Sequence, residues 1–152
     1  MSRYFFDSSA LAKRYHPEIG TAKVTSIFGE SGCEVRISRL SFVEVQSVFA
    51  MKVRAGFISR TEAGQQRARL VIDVAAGTIE VCTVTPDHFA AAERLIGRHS
   101  FSARLRTLDA LQLAVALDLS SQDLADHFVV SDKALSEVAS REGMSVLNPE
   151  TA

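Results

Sequence analysis

Four acidic side chains occupy positions that a parallel α/β sheet would bring to one edge. They are Asp7, Glu44, Asp109 and Asp132. Asp7 and Asp132 each come directly after an apolar, strand-like run, Glu44 follows a third such run, and Asp109 opens a long apolar helix. Because ligands bind beyond the C-terminal ends of the strands in open α/β sheets, these four carboxylates are expected to share one site.

Carboxylates gathered in this way repel one another. Two of them about 4 Å apart cost roughly 4 kcal/mol at an effective dielectric constant of about 20. A divalent cation removes that cost, and carboxylate oxygens suit Mg²⁺ or Mn²⁺. Zinc is not expected, because the four histidines show no ligand spacing with one another or with the two cysteines. The acids therefore predict a magnesium or manganese site.

Each acid also has a purely structural interpretation. Asp7 and Asp132 can cap the helices that follow them. Glu44 can reach back to the backbone of Ser41 in a capping box, and Asp109 can stabilise a first helical turn through the helix dipole. The set favours a metal site, because Asp7 follows three aromatic residues and Asp109 is the lone charge at the start of an apolar helix.

The elements that must position these acids alternate along the chain. The 152 residues are 47% hydrophobic and 23% charged, an ordinary globular balance for one domain over 1–152. Strands are predicted near 3–7, 34–38, 79–84, 127–131 and 145–147, and helices near 8–15, 18–31, 41–55, 59–76, 86–96, 107–119 and 133–142. Strands separated by helices predict a mostly parallel sheet.

Four segments of the chain resemble, in order, the motifs of PIN-domain nucleases, particularly the VapC-type toxins of bacterial toxin–antitoxin pairs. The segments are 4–15, 38–45, 108–114 and 128–135, each containing one of the four acids. The resemblance covers almost the whole chain. It implies a three-layer α/β/α fold, with the four acids as catalytic and metal-binding residues for Mg²⁺- or Mn²⁺-dependent hydrolysis of RNA.

The same resemblance assigns supporting roles to hydroxyl groups. Ser8 or Ser9 is expected to assist the first acid, and Ser131 stands next to the fourth. Many relatives carry Ser or Thr two residues before the fourth acid, where this chain has Val130. Polar assistance near Asp132 is therefore expected to differ from that of those relatives.

Cations near the acidic motifs are the predicted contacts for RNA phosphates. The formal net charge of -1 provides no overall attraction for a polyanion, so a local basic patch must hold the substrate. The expected substrate-binding residues are Lys13, Arg14, Arg39, Arg106 and Lys133.

The resemblance further implies a VapB-type antitoxin partner and a homodimer formed by part of the apolar surface near 41–76. No apolar run approaches the roughly 20 residues needed to span a bilayer, and no signal-like segment follows Met1. A cytoplasmic protein that does not contact membranes is expected.

Two other functions compete with this interpretation. The first is a catalytically silent PIN-like domain that binds RNA or protein. The second is an enzyme that forms a phosphoryl-aspartate at Asp7. A haloacid-dehalogenase-type enzyme of that class needs another Asp two residues later, where this chain has Ser9.

Overall fold

One or two helices separate each strand from the next in a computed structural model that describes residues 1–152. The strands are β1 (Arg3–Phe6), β2 (Glu34–Ser38), β3 (Glu80–Cys82), β4 (His127–Val129) and β5 (Val146–Leu147). The helices are α1 (Ser8–Ala12), α2 (Thr21–Phe28), α3 (Arg39–Arg54), α4 (Arg60–Ala75), α5 (Pro86–His99), α6 (Thr107–Ser121) and α7 (Lys133–Arg141). The predicted α/β alternation is confirmed.

The five strands form one sheet in the order β3-β2-β1-β4-β5, and every neighbouring pair is parallel. The sheet is thus entirely parallel. The central strand β1 pairs on both sides, with Tyr4 opposite Val35 of β2 and His127 of β4. The chain builds outward through β2 and β3, then returns to the other side of β1. This reversal opens a crevice beyond the ends of β1 and β4.

Side chains that alternate along the central strands supply two cores. Phe5 and Phe128 are fully buried against α5, α6 and α7. Phe6 and Val129 point the opposite way and are fully buried among residues of α1, α2, α3 and α4. Helices therefore cover both faces of the sheet, and the predicted three-layer α/β/α arrangement is confirmed.

Helix α6 is apolar on nearly every side because it lies in the interior. Eight of its residues are buried, and it packs beside α5. His88 of α5 lies 2.7 Å from Asp118 of α6, which joins the two helices at their polar margin. Neither α6 nor any other helix combines the length and hydropathy needed to cross a membrane.

Candidate active site

The four acids meet in one hollow beyond the C-terminal ends of the strands. Its volume is about 460 Å³, and its lining comes from four separate segments of the chain. The lining residues are Asp7, Ser8, Ser9, Glu44, Arg106, Thr107, Leu108, Asp109 and Asp132. Only Leu108 is apolar, so the hollow is suited to water, ions and polar ligands.

Asp7 is the most buried of the four acids. Its backbone N–H donates to the carbonyl of Val129 at 2.9 Å, which extends the pairing of β1 with β4 by one residue. Asp7 occupies the N-cap position of α1, as the structural interpretation predicted, although its side chain makes no capping hydrogen bond. Instead, its Oδ2 accepts a hydrogen bond from the Ser9 hydroxyl at 2.8 Å.

The surroundings of Asp7 disfavour its charged form. Its side chain is only 5% exposed. Burial raises the pKa of Asp7, and the neighbouring charge of Asp132 raises it further, while the Ser9 hydroxyl partly opposes both effects.

Asp132 has a structural role and also faces the hollow. Its Oδ1 accepts the backbone N–H of Leu135 at 2.8 Å, so it caps α7 as the structural interpretation predicted. The bond uses one carboxylate oxygen, and Oδ2 has no donor from the protein. Asp132 can therefore cap the helix and bind a ligand at the same time.

Glu44 reaches the hollow from the second turn of α3. That helix begins at Arg39 and is capped by Ser38, whose hydroxyl accepts the N–H of Ser41. The capping box predicted between Ser41 and Glu44 is therefore wrong. Gln112 of α6 instead donates its amide to Glu44 at 3.2 Å. Burial and then the charge of Asp7 raise the pKa of Glu44, with Gln112 opposing the rise.

Asp109 is in the first turn of α6, where the helix dipole favours a negative charge. Its pKa is nevertheless raised, first by burial and then by the charges of Asp7 and Asp132, with Arg106 opposing the rise. Three of the four acids are thus destabilised as anions by burial and by one another. A bound cation would relieve this destabilisation.

The donor set fits a hydrated divalent cation. All four acids line the same hollow, yet no three histidine, cysteine or acidic side chains form a ready-made metal site. Mg²⁺ usually keeps several waters and binds proteins through one or two carboxylates, so it does not need a closed cage of side chains. An open, acidic and polar hollow meets that requirement.

Two of the predicted substrate-binding cations, Lys13 and Arg14, do not line the hollow. Lys13 is buried, with Nζ 3.2 Å from Glu18 and 3.1 Å from Glu150. Arg14 pairs with Asp73 at 2.8 Å, and its guanidinium lies 3.9 Å from the centre of the Phe28 ring. Both cations are occupied in holding elements together, so neither faces the hollow.

The other three predicted cations lie in the hollow or at the start of a helix that follows a strand. Arg106 lines the hollow itself. Arg39 and Lys133 are exposed and form the first residues of α3 and α7, the helices that follow β2 and β4. Arg39 also stacks on Phe42, with its guanidinium 5.0 Å from the ring centre.

Two of the three predicted hydroxyl groups lie in the hollow, and the third does not. Ser8 and Ser9 line the hollow, but Ser131 does not, and its buried Oγ has no hydrogen-bond partner. Val130 is fully buried in the core beside α6 and α7, so it offers no polar group near Asp132.

The sequence interpretation missed Gln112. It is 1% exposed and bonded to Glu44. The available signal was its position, because it is the only polar residue in the run 110–117 and follows Asp109 by one helical turn.

Three solved structures share this fold over most of their length. VapBC2 from Rickettsia felis, bound to a DNA fragment from its promoter, has a TM-score of 0.65 and 12% identity, covering 95% of this chain and 97% of that one. VapC20 from Mycobacterium tuberculosis, described as a sarcin–ricin loop cleaving toxin, has a TM-score of 0.64 and 17% identity, covering 88% of this chain and 93% of that one. FitAcB from Neisseria gonorrhoeae has a TM-score of 0.60 and 14% identity, covering 96% of this chain and 97% of that one.

No curated protein sequence matches the chain significantly. The structural likenesses are too remote in sequence to show more than a common fold. The family model of the PIN domain, however, matches residues 4–140, which contain all four acids and, apart from Arg3, every strand except β5. The chain therefore belongs to the PIN domain family.

Proposed function

We propose that this protein is an endoribonuclease that requires Mg²⁺ or Mn²⁺ and acts as the toxin of a VapBC-type toxin–antitoxin pair. The observation that supports this most directly is the meeting of four carboxylates in one polar hollow of a PIN-domain chain. Because its substrate is RNA, we expect the protein to act in the cytoplasm.

In this proposal Asp7 and Asp109 would hold the principal ion, with Glu44 as a further ligand. Asp132 would hold a second, weaker ion or orient a water molecule for attack on phosphorus. A divalent ion in such a site acidifies water and neutralises charge on the phosphate. The Ser9 hydroxyl keeps Asp7 in place. No histidine lines the hollow to activate a serine, so hydrolysis by water is favoured over a covalent intermediate.

RNA binding in this proposal depends on a few cations at the hollow. Arg106 contacts the phosphate nearest to the acids, while Arg39 and Lys133 contact phosphates on either side. The description of VapC20 as a sarcin–ricin loop cleaving toxin supports RNA as the substrate class.

A groove between α3 and α4 supports the antitoxin partner. Its volume is about 330 Å³, with Phe49 and Val53 among its apolar lining and three arginines at its rim, Arg54, Arg60 and Arg67. We propose that a VapB-type segment occupies this groove and places a basic side chain in the acidic hollow.

Phe57, 72% exposed between the two helices, is the proposed centre of a homodimer contact.

RNA cleavage with and without metal tests the proposed activity. The purified protein is expected to cut RNA in Mg²⁺ or Mn²⁺ and to lose this activity in excess chelator. Asp7→Asn is expected to remain folded and to lose at least about a hundredfold in rate. Asp123→Asn, a matched change at an exposed acid, should keep full activity. Full activity in chelator, or in Asp7→Asn, would overturn the proposal.

The second candidate is a silent PIN-like domain that binds RNA or protein without cutting RNA. Its supporting observation is that no three acids form a ready-made metal site. Titration with Mn²⁺ separates the two functions. A silent domain would bind RNA equally well with and without Mn²⁺ and leave it uncut.

A further inference from the structure

A buried amide group connects α6 to the start of α3. Gln112 is 1% exposed. Its Oε1 accepts the Ser38 hydroxyl at 2.7 Å, and its Nε2 donates to the hydroxyl of Ser41 and to Oε1 of Glu44, the latter at 3.2 Å. Every polar atom of this side chain therefore has a partner, and one partner is an acid of the hollow.

The hydrogen-bond pattern determines which way the amide points. The Ser38 hydroxyl accepts the Ser41 N–H at 3.1 Å, and its own hydrogen is then free to bond Oε1 of Gln112. A reversed amide would place its oxygen against the carboxylate of Glu44, with two acceptors facing each other. The –NH₂ end therefore faces Glu44.

We propose that Gln112 is a positioning residue for the metal site, which holds the Glu44 carboxylate toward the hollow from an anchor inside the protein. This inference rests on the proposed function, because it takes Glu44 as a ligand. Glu44 lies on α3 with three flexible side-chain torsions, and the other acids of the hollow repel it. The Gln112 amide supplies an attractive contact that opposes this repulsion.

The placement of Gln112 makes the anchor stiff. It follows Asp109 by three residues on α6, so the same buried helix carries one acid and orients another. Partners behind a metal ligand fix its orientation, and losing one typically lowers metal affinity or activity about 10- to 100-fold.

The first test measures Mn²⁺ binding by isothermal titration calorimetry with the full chain. Gln112→Met keeps the unbranched shape but removes the donor, and its Kd for Mn²⁺ is expected to rise about tenfold. The matched control is Gln66→Met. Gln66 is also buried, but it lies on α4, away from the hollow, and its Oε1 has no partner. Its Kd should match that of the unchanged protein.

A double-mutant cycle distinguishes positioning from general damage. If Gln112 acts through Glu44, then adding Gln112→Met to Glu44→Gln should change the Kd for Mn²⁺ less than twofold further. The same tenfold loss in both backgrounds would overturn the proposal, because Gln112 would then act without Glu44. In RNA cleavage at fixed Mn²⁺, Gln112→Met should lower kcat and leave KM unchanged.

Failures of the two proposals look different. If the unchanged protein binds Mn²⁺ but Gln112→Met binds it equally well, only the role of Gln112 is overturned. If the unchanged protein neither binds Mn²⁺ nor cuts RNA, both proposals fail. Should Gln112→Met not fold, Gln112→Asn keeps a buried amide but shortens it by one methylene, and it is expected to weaken Mn²⁺ binding about tenfold as well. An unchanged Kd in Gln112→Asn would then count against the proposal.

Discussion

Each acid of the hollow needs its negative charge to bind the proposed cation, but its surroundings disfavour the charged form. Burial raises the pKa of Asp7, Glu44 and Asp109, and each also experiences the charge of at least one other acid. These residues therefore reduce the stability of the metal-free protein at neutral pH. Selection for a binding site accounts for such a cost, whereas helix capping alone does not.

Replacing the most buried acid should therefore stabilise the metal-free protein. Asp7→Asn removes a buried charge and its repulsion of Asp132 while keeping the shape of the side chain. In chelator at neutral pH, we expect its free energy of unfolding to rise by about 1 to 2 kcal/mol. Denaturant unfolding measures this, with Glu93→Gln, a change at an exposed acid of α5, as the control. A destabilised Asp7→Asn would show that the carboxylate is required for folding.

The stabilisation should also depend on pH. A raised pKa in the folded state means that folded Asp7 holds its proton more tightly than the unfolded chain does. Its contribution to stability is therefore present at low pH and is lost as pH rises through the folded pKa. Asp73 has the opposite slope, because Arg14, against the effect of burial, lowers its pKa.

The difference in the free energy of unfolding between Asp7→Asn and the unchanged protein isolates the contribution of Asp7, because groups such as Asp73 contribute equally to both. In chelator, the stability difference between Asp7→Asn and the unchanged protein should increase from about pH 4, the ordinary pKa of an aspartate, and level off above the raised pKa of folded Asp7. Unfolding curves measured in small pH steps provide this difference. A difference that stays constant would mean that Asp7 has the same pKa in both states.

Among the secondary-structure elements, the starts of α3, α6 and α7 carry the three cations that are proposed to bind RNA. Arg106 immediately precedes α6 and lines the hollow. Arg106→Gln is expected to weaken RNA binding by about 3- to 10-fold and to reduce the slope of log K against log salt by about 0.7. Arg141→Gln, at the far end of α7, is the matched control. Equal losses in the two variants would indicate a diffuse charge effect.

Lys13 provides the opposite case, in which a cation supports the fold. It joins the end of α1 to Glu18 before α2 and to Glu150 near the C-terminus. Lys13→Met should lower the free energy of unfolding by about 1 to 2 kcal/mol and leave the RNA KM unchanged. Lys23→Met, which breaks no ion pair, is the control. A raised KM in Lys13→Met would restore its predicted role in substrate binding.

The elements themselves were largely predictable from the sequence. Strands β1 and β4 are short apolar runs with Asp7 and Asp132 directly after them, so parallel pairing brings these acids together. The start of α3 was less predictable, because both Ser38 and Ser41 are good capping residues and only the structure places the cap at Ser38.

Long-range partners were not predictable, because they depend on contacts that leave no local pattern. Lys13 bonds Glu150, 137 residues away, and Arg14 bonds Asp73, 59 residues away. Gln112 was missed for the same reason, since its partners lie at the end of β2 and on α3, far away in the sequence. A polar residue in an apolar run indicates a buried partner, but it does not identify that partner.

For the molecule as a whole, the acidic hollow should make the stability of the folded protein depend on divalent cations. The net charge is only -1, so a general charge effect of salt is small, and the destabilising charges are concentrated in one place. A cation that binds only the folded protein stabilises it by about 2.7 kcal/mol at a concentration of 100 times its Kd. For a chain of this length, that corresponds to a rise in Tm of about 5 to 10 °C.

Thermal unfolding in Mg²⁺, in Mn²⁺ and in chelator measures this dependence. The rise in Tm should vanish in an Asp7→Asn, Asp109→Asn double variant, which keeps the fold but removes two proposed ligands. Choline chloride at equal ionic strength controls for screening, because it supplies no ion that carboxylates can coordinate. An equal rise in choline chloride, or in the double variant, would show that the hollow has no specific divalent site, because the same stabilisation would then come from general screening.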